Sequence, residues 1–231
     1  MDFILDGLQE AFVLLFSGDE TTWSAVRVTM AASSLSMACC LGLGAPLGFL
    51  LGYYDFPGKK FLRLLVDTLL SLPTVVIGLV AYAFLTKQGP LGGFGLLFTI
   101  PGVALGQAVL GLPIVVAMTA TAVEAQDSRL RQTLLTLGAN PRQMLLTTLA
   151  EARFAVALAA MAAYGRIVSE VGISMMIGGN IKWHTRTITT AIALETGKGQ
   201  FSMGVALGLV LMLLALGVNV GAVFLRRASH R

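Results

Sequence analysis

Arg166 and Glu170 stand four residues apart inside one apolar stretch. In a helix that spacing puts both side chains on one face. A charge near the centre of a bilayer costs roughly 2.5–3.5 kcal/mol on insertion scales, so the pair must face protein, water or each other. Two uses follow: a gate or anion contact along a pathway, or an ion pair that locks this helix to its neighbours. Downstream, Gly178, Gly179 and Asn180 mark a helix end. A hydroxyl-rich run follows at Thr185, Arg186, Thr187, Thr189 and Thr190, closed by Glu195 and Gly197. Thr185 can cap a helix starting at Arg186. Such an N-terminus, with its hydroxyls and arginine, suits a tetrahedral oxyanion. The plainer alternative is a capped helix at the outer surface.

Other chemistry is poorly supplied. No GxxxxGK[ST] occurs, and Thr196-Gly197-Lys198-Gly199 lacks both the upstream glycine and the following hydroxyl. Two histidines and two adjacent cysteines, Cys39 and Cys40, form no metal spacing, and both cysteines read as packing residues. Asp67, Glu151 and Glu170 make no recognisable hydrolytic set. The expectation is a chain that is not an enzyme and binds no cofactor or metal itself.

The elements that must position these residues are membrane spans. Of 231 residues 56% are hydrophobic and 12% charged, with mean hydropathy +0.82. Soluble domains carry about 25% charged residues. A net charge of +4 then reads as membrane topology rather than nucleic-acid binding. Five segments are long enough to cross: 23–52, 61–86, 100–123, 151–178 and 202–225. The predicted fold is an all-α integral membrane bundle of about five spans over 21–231, preceded by an amphipathic helix over 1–20. That first helix carries Ile4, Leu8, Phe12 and Leu15 at helical spacing. It lacks the basic start of a cleavable signal peptide and carries Asp2, Asp6 and Glu10. Placing the N-terminus outside and the C-terminus inside puts ten of the 16 Lys and Arg in cytoplasmic segments. Pro46, Pro73 and Pro113 fall within spans, where protein or a cavity must satisfy the backbone they disturb. Gly44, Gly48 and Gly52 form a small-residue face for close helix packing.

Between the third and fourth spans lies a punctuated loop, 127–147. Asp127 or Ser128 can cap a helix with Leu130, Leu134 and Leu137 on one stripe, leaving Arg131, Gln132 and Thr136 largely off it. Gly138 suits a left-handed C-terminal cap, Asn140 an N-cap and Pro141 a first helical position. A second short helix then runs through Met144 and Leu145. This elbow can dock into a groove on another protein or lie on lipid headgroups.

The elbow resembles the cytoplasmic coupling loop of ABC importer permeases, patterned Glu-Ala-Ala, three residues, Gly, with Ile-x-Leu-Pro further on, where this chain departs with Thr148-Leu149-Ala150-Glu151. Gly138 matches the glycine within Thr136-Leu137-Gly138-Ala139; the glutamate position holds Gln132, and the alanines are Thr133 and Leu134. The chain is similar nearly end to end to the tungstate-type branch of these permeases, and less closely to the molybdate and sulfate branches. DTLLSLPTVVIGLVAY, GRIVSEVG, GGNI and TRTITTAIALETGKG carry the likeness. The resemblance implies a type I, MetI-like fold in the cytoplasmic (inner) membrane of a prokaryote and a homodimer in membrane lipid. It also implies cytoplasmic ATPase subunits holding ATP and Mg, and an extracytoplasmic oxyanion-binding protein. It assigns ATPase coupling to Arg131, Gln132, Thr136, Leu137, Gly138, Ala139, Asn140, Pro141 and Arg142. The pathway set is Arg166, Ser169, Glu170, Asn180, Thr185, Arg186, Thr189 and Thr190. The alternatives are a molybdate or other oxyanion permease, an ATP-independent anion transporter or channel relaying through Arg166 and Glu170, and a membrane scaffold.

Overall fold

A computed structural model describes residue 13 and residues 17–126 and 134–229. The amphipathic helix expected over 1–20 therefore lies almost wholly outside the described residues, as do Arg131 and Gln132 of the elbow.

Asp19 opens the first span by accepting the Thr22 amide at 2.8 Å. Helix α1 (Glu20–Cys39) passes through a π-helical turn (Cys40–Gly44) into α2 (Ala45–Tyr53), together 34 residues. The wide turn sits directly before Pro46, whose ring and missing donor would break a regular α-helix. Gly44, Gly48 and Gly52 lay α2 against α5 (Ile100–Glu124) almost backbone to backbone. A Cβ at Gly48 would stand 2.6 Å from the Val116 carbonyl oxygen, and one at Gly52 2.7 Å from that of Ala120. The expected packing face is thus a seam of close backbone approach. Of the two cysteines, Cys40 is buried and its thiol lies 3.5 Å from the Ala108 carbonyl; Cys39 is exposed.

The segment expected to cross as one rod over 61–86 does not. Helices α3 (Lys59–Leu70) and α4 (Thr74–Leu85) meet at 99°. Proline disfavours helical geometry at the residue before it and donates nothing, so Leu72-Pro73 ends one helix and starts another. The Pro73 carbonyl takes the amides of Val76 and Ile77. Helix α3 buries no residue.

Helix α5 is the hub. Thr99 caps it by accepting the Gly102 amide at 3.1 Å, Pro113 lies within it, and Val103, Val115 and Ala120 are fully buried. On one side Met37 of α1, Cys40 of the π-helical turn, and Ala163 and Ile167 of α6 (Pro141–Val168) pack against its Ala108 and Val115. On another, Ile77 and Leu85 of α4 meet Ile173 and Ile177 of α7 (Gly172–Gly178) beside Leu110. Helices α8 (Ile188–Gly197) and α9 (Phe201–Ser229) pack with Ala25 of α1 through Ile188, Ala191 and Leu207. The fourth expected span, 151–178, has different bounds: its helix starts at Pro141, ends at Val168, and is followed by the separate α7. Among the described residues four helices are long and apolar enough to cross a membrane, or five counting the bent pair as one span.

The glycine seam makes a direct prediction. Gly48→Ala forces α2 and α5 apart and should cost about 1–3 kcal/mol, lowering the unfolding temperature in detergent. Gly208→Ala, whose added methyl meets nothing within 4 Å, should not lower it.

Candidate functional site

Two features at opposite ends of α6 contain the residues singled out by sequence. At its N-terminal end, residues 134–136 are helical and Gly138 adopts φ +74°. The Gly138 amide donates to Leu135 O at 3.0 Å and the Ala139 amide to Leu134 O at 2.9 Å. This six-to-one and five-to-two pair is the Schellman arrangement, which needs a left-handed residue at Gly138. Asn140 and Gln143 exchange side-chain and backbone bonds of 2.8 and 2.9 Å, a complete capping box, with Pro141 in the first turn. Both expected caps are present. The second short helix is not separate: it is the start of α6 itself, 28 residues long. The tip is exposed, Leu137 at 76% and Leu135 at 52%, and so are Thr136, Asn140, Pro141 and Arg142; Ala139 is half-buried. Its base is pinned. Gln126 donates to Thr148 O at 3.0 Å, and Val123, Ala152 and Phe49 pack with Leu145 and Tyr53.

At the other end, Ser169 terminates α6, so Arg166 and Glu170 do not share one helix face as expected. They pair across the helix end instead. Arg166 Nη1 donates to Glu170 Oε2 at 2.9 Å, with the arginine side chain 43% exposed and the glutamate 3%. The second glutamate oxygen accepts the Ile173 amide at 3.3 Å and so caps α7. The Glu170 carbonyl accepts the Thr189 hydroxyl at 2.9 Å, joining α8 to the same corner. Arg166 and Ser169 are exposed beside one another.

The threonine run is placed differently from expectation. Thr187, not Thr185, caps the helix, which starts at Ile188 rather than Arg186. Thr185 instead closes the preceding loop, donating to Gly178 O and accepting the Ile181 amide at 3.2 Å. Thr185, Thr187, Thr189 and Thr190 are all buried, and the hydroxyls of Thr187 and Thr190 are 3.1 Å apart. The donors expected to cradle an anion are thus spent inside the chain. Arg186 is likewise engaged, donating to Asn180 Oδ1 at 3.2 Å and lying 3.9 Å from Glu195. Asn180, at φ +52°, follows Gly179 at +67°, which is the helix end the glycines foretold.

Sequence reading missed Thr29, Gln107 and Ser174. Thr29 accepts the Ile188 amide at 2.8 Å across 159 residues, satisfying the first donor of α8. Gln107 donates to Ser174 at 3.2 Å, fully inside the bundle. A glutamine in the apolar first half of a 25-residue helix is a signal that could have been used; Thr29 carries none until α1 and α8 are side by side.

Residues 44–230 match the family described as "Binding-protein-dependent transport system inner membrane component". The chain is 48% identical to the tungstate uptake system permease protein TupB of Campylobacter jejuni, covering 95% of this chain and 92% of that one. It is 33% identical to TupB of Peptoclostridium acidaminophilum (95% and 96%), and 31% identical to the molybdenum transport permease ModB of Escherichia coli (74% and 78%). In fold it is similar to a chain of an inward-facing MetNI methionine ABC transporter, with TM-score 0.74 and 19% identity over 93% of this chain and 100% of that one.

The Thr29 bond is testable in isolation. Thr29→Val keeps the shape but leaves the buried Ile188 amide without its acceptor, and should cost about 1–2 kcal/mol. Thr29→Ser should restore the unfolding temperature.

Proposed function

The chain belongs to that family of transport permeases, and we propose that it is the membrane subunit of an ATP-driven importer that carries tungstate into the cell. The tungstate reading rests on the 48% and 33% identities to tungstate uptake permeases over 95% of this chain. Molybdate is the runner-up, supported by the 31% identity to a molybdenum permease. ATP and Mg belong to separate cytoplasmic ATPase subunits, and an oxyanion-binding protein delivers substrate from the opposite face. Two copies of this chain form the membrane domain. The N-terminus lies outside and the C-terminus inside, as the distribution of bases favours.

One observation carries the coupling assignment: the described part of the elbow, with its exposed leucine tip, leads through the Asn140 cap directly into a 28-residue helix that ends at the Arg166–Glu170 corner. At 1.5 Å per residue that helix is about 42 Å long, more than the roughly 30 Å hydrocarbon thickness. A continuous rod passes a displacement at one end to the other. Closure of the ATPase subunits on ATP moves the elbow seated in a cleft of one of them. α6 carries that movement to the corner where α6, α7 and α8 meet. Arg166 and Ser169, exposed there, face the passing anion. Glu170 holds Arg166 in place, and Asn180, Thr185, Arg186, Thr189 and Thr190 keep the corner rigid.

Gly138→Pro tests this. Proline holds φ near −65° and cannot adopt the positive φ the elbow requires. The variant should insert normally, lose the co-purifying ATPase and lose uptake. Gly138→Ala, strained by about 1–2 kcal/mol, should give an intermediate effect. Normal tungstate uptake by the proline variant would remove the elbow from the mechanism.

A further inference from the structure

Glu124 is the last residue of α5, three positions before the loop that contains the elbow. Each of its carboxylate oxygens faces a different base on α3. Lys59 Nζ lies 3.3 Å from Oε1 and Arg63 Nη1 3.6 Å from Oε2. Lys59 also donates to Gly52 O at 3.3 Å, reaching the end of α2, and Arg63 donates to the Thr121 hydroxyl of α5. The bases are mostly covered, with side chains 19% and 24% exposed; Glu124 is 37% exposed, less than their other acidic neighbours, Asp55 and Asp67, at 97% and 51%. Ion pairs at exposed sites contribute little, so without Glu124 the two covered bases would keep only their pairs with the more exposed Asp55 and Asp67. Arg63 Nη1 is buried without a close hydrogen bond and faces Glu124, while Nε of the same guanidinium faces Asp67.

Helix α3 has little else to hold it. It buries no residue, and Val66 is its apolar contact with the cluster of Leu51, Val116 and Ala120. Beyond α3 the chain turns through 99° at Pro73 into α4, which packs on α7. On its other side the end of α5 is tied to α6 by Gln126 and Thr148. Helices α3, α5 and α6 therefore share one fastening at the base of the elbow.

We propose that Glu124 is a positioning residue, a two-pronged ionic clasp that makes α3 a third arm of the elbow, so that motion of the elbow swings the Pro73 corner as well as α6. This rests on the coupling reading of the elbow. Without the clasp α3 would keep Val66 and the bonds of Lys59 to Gly52 and Arg63 to Thr121, and less of the elbow's displacement would reach α4.

The test uses the whole complex in lipid nanodiscs, with an environment-sensitive fluorophore on Phe61→Cys in α3 or on Leu146→Cys in α6, both exposed positions. In the parent complex ATP binding should change both signals. In Glu124→Gln the Leu146 probe should still respond, the Phe61 response should fall, and anion moved per ATP hydrolysed should drop by roughly three- to tenfold. Glu124→Asp should recover part of both. Arg63→Gln and Lys59→Gln, each removing one prong, serve if Glu124→Gln assembles poorly and should give smaller losses in the same direction. A Phe61 response and transport ratio unchanged in all three neutral variants overturns the clasp while leaving the elbow in place. A Leu146 probe silent to ATP in the parent complex overturns the elbow reading and the clasp with it.

Discussion

A carboxylate withdrawn from water must find a cation and donors, and Glu170 is where this chain meets that demand. It is 3% exposed, holds Arg166 at 2.9 Å, and takes the Ile173 amide on its other oxygen. Those two bonds end one helix and begin the next. The backbone carbonyl of the same residue takes Thr189, so a third helix is fixed to the same point. Replacing Arg166 by a neutral residue would leave the buried carboxylate without its cation, a loss tempered by the exposure of Arg166 and by the remaining Ile173 amide. The corner is therefore fixed for electrostatic reasons, as the proposed coupling through α6 requires at its far end.

Packing supplies the rest of the frame. Helix α5 serves as hub because its glycine-bearing neighbour α2 comes within backbone contact, while Gly106 and Gly111 leave room for Ile173, Ile177 and Ile167. In a bilayer apolar side chains gain little by leaving lipid, so close approach at small residues is the main source of specificity. The broken elements have local causes. Pro46 is preceded by a π-helical turn, and Pro73 separates α3 from α4 at 99°. The α3 helix that results has nothing buried beneath it and is fastened mainly by charge, a weaker and more adjustable bond than the glycine seam.

Much of this frame is legible in the amino-acid sequence alone. The caps of the elbow follow from Gly138, Asn140 and Pro141, because each residue type supplies a backbone geometry or bond that few others can. Gly44, Gly48 and Gly52 announce their seam by spacing alone. Hydropathy finds the spans but not their ends: a window over 151–178 cannot see that Ser169 stops a helix, nor that α6 reaches back to Pro141. It likewise reads Pro73 as a disturbance within a rod rather than a right-angled corner. The hydroxyl run is harder. Thr185 and Thr187 are equally good caps by type, and the choice falls to Thr187 because Thr190 sits three residues on to complete the box. Whether such hydroxyls face an anion or the interior depends on α1, over 150 residues away, where Thr29 takes the Ile188 amide. That bond has no local trace.

The most direct measurement is ATP-dependent accumulation of tungstate in vesicles reconstituted with this chain, its ATPase and the oxyanion-binding protein. The account predicts uptake that requires all three components together with ATP, and none by this chain alone. Tungstate carried down its gradient by the chain alone, at the same rate with and without ATP, would contradict it and turn attention from the elbow to Arg166 and Glu170 as a self-sufficient relay.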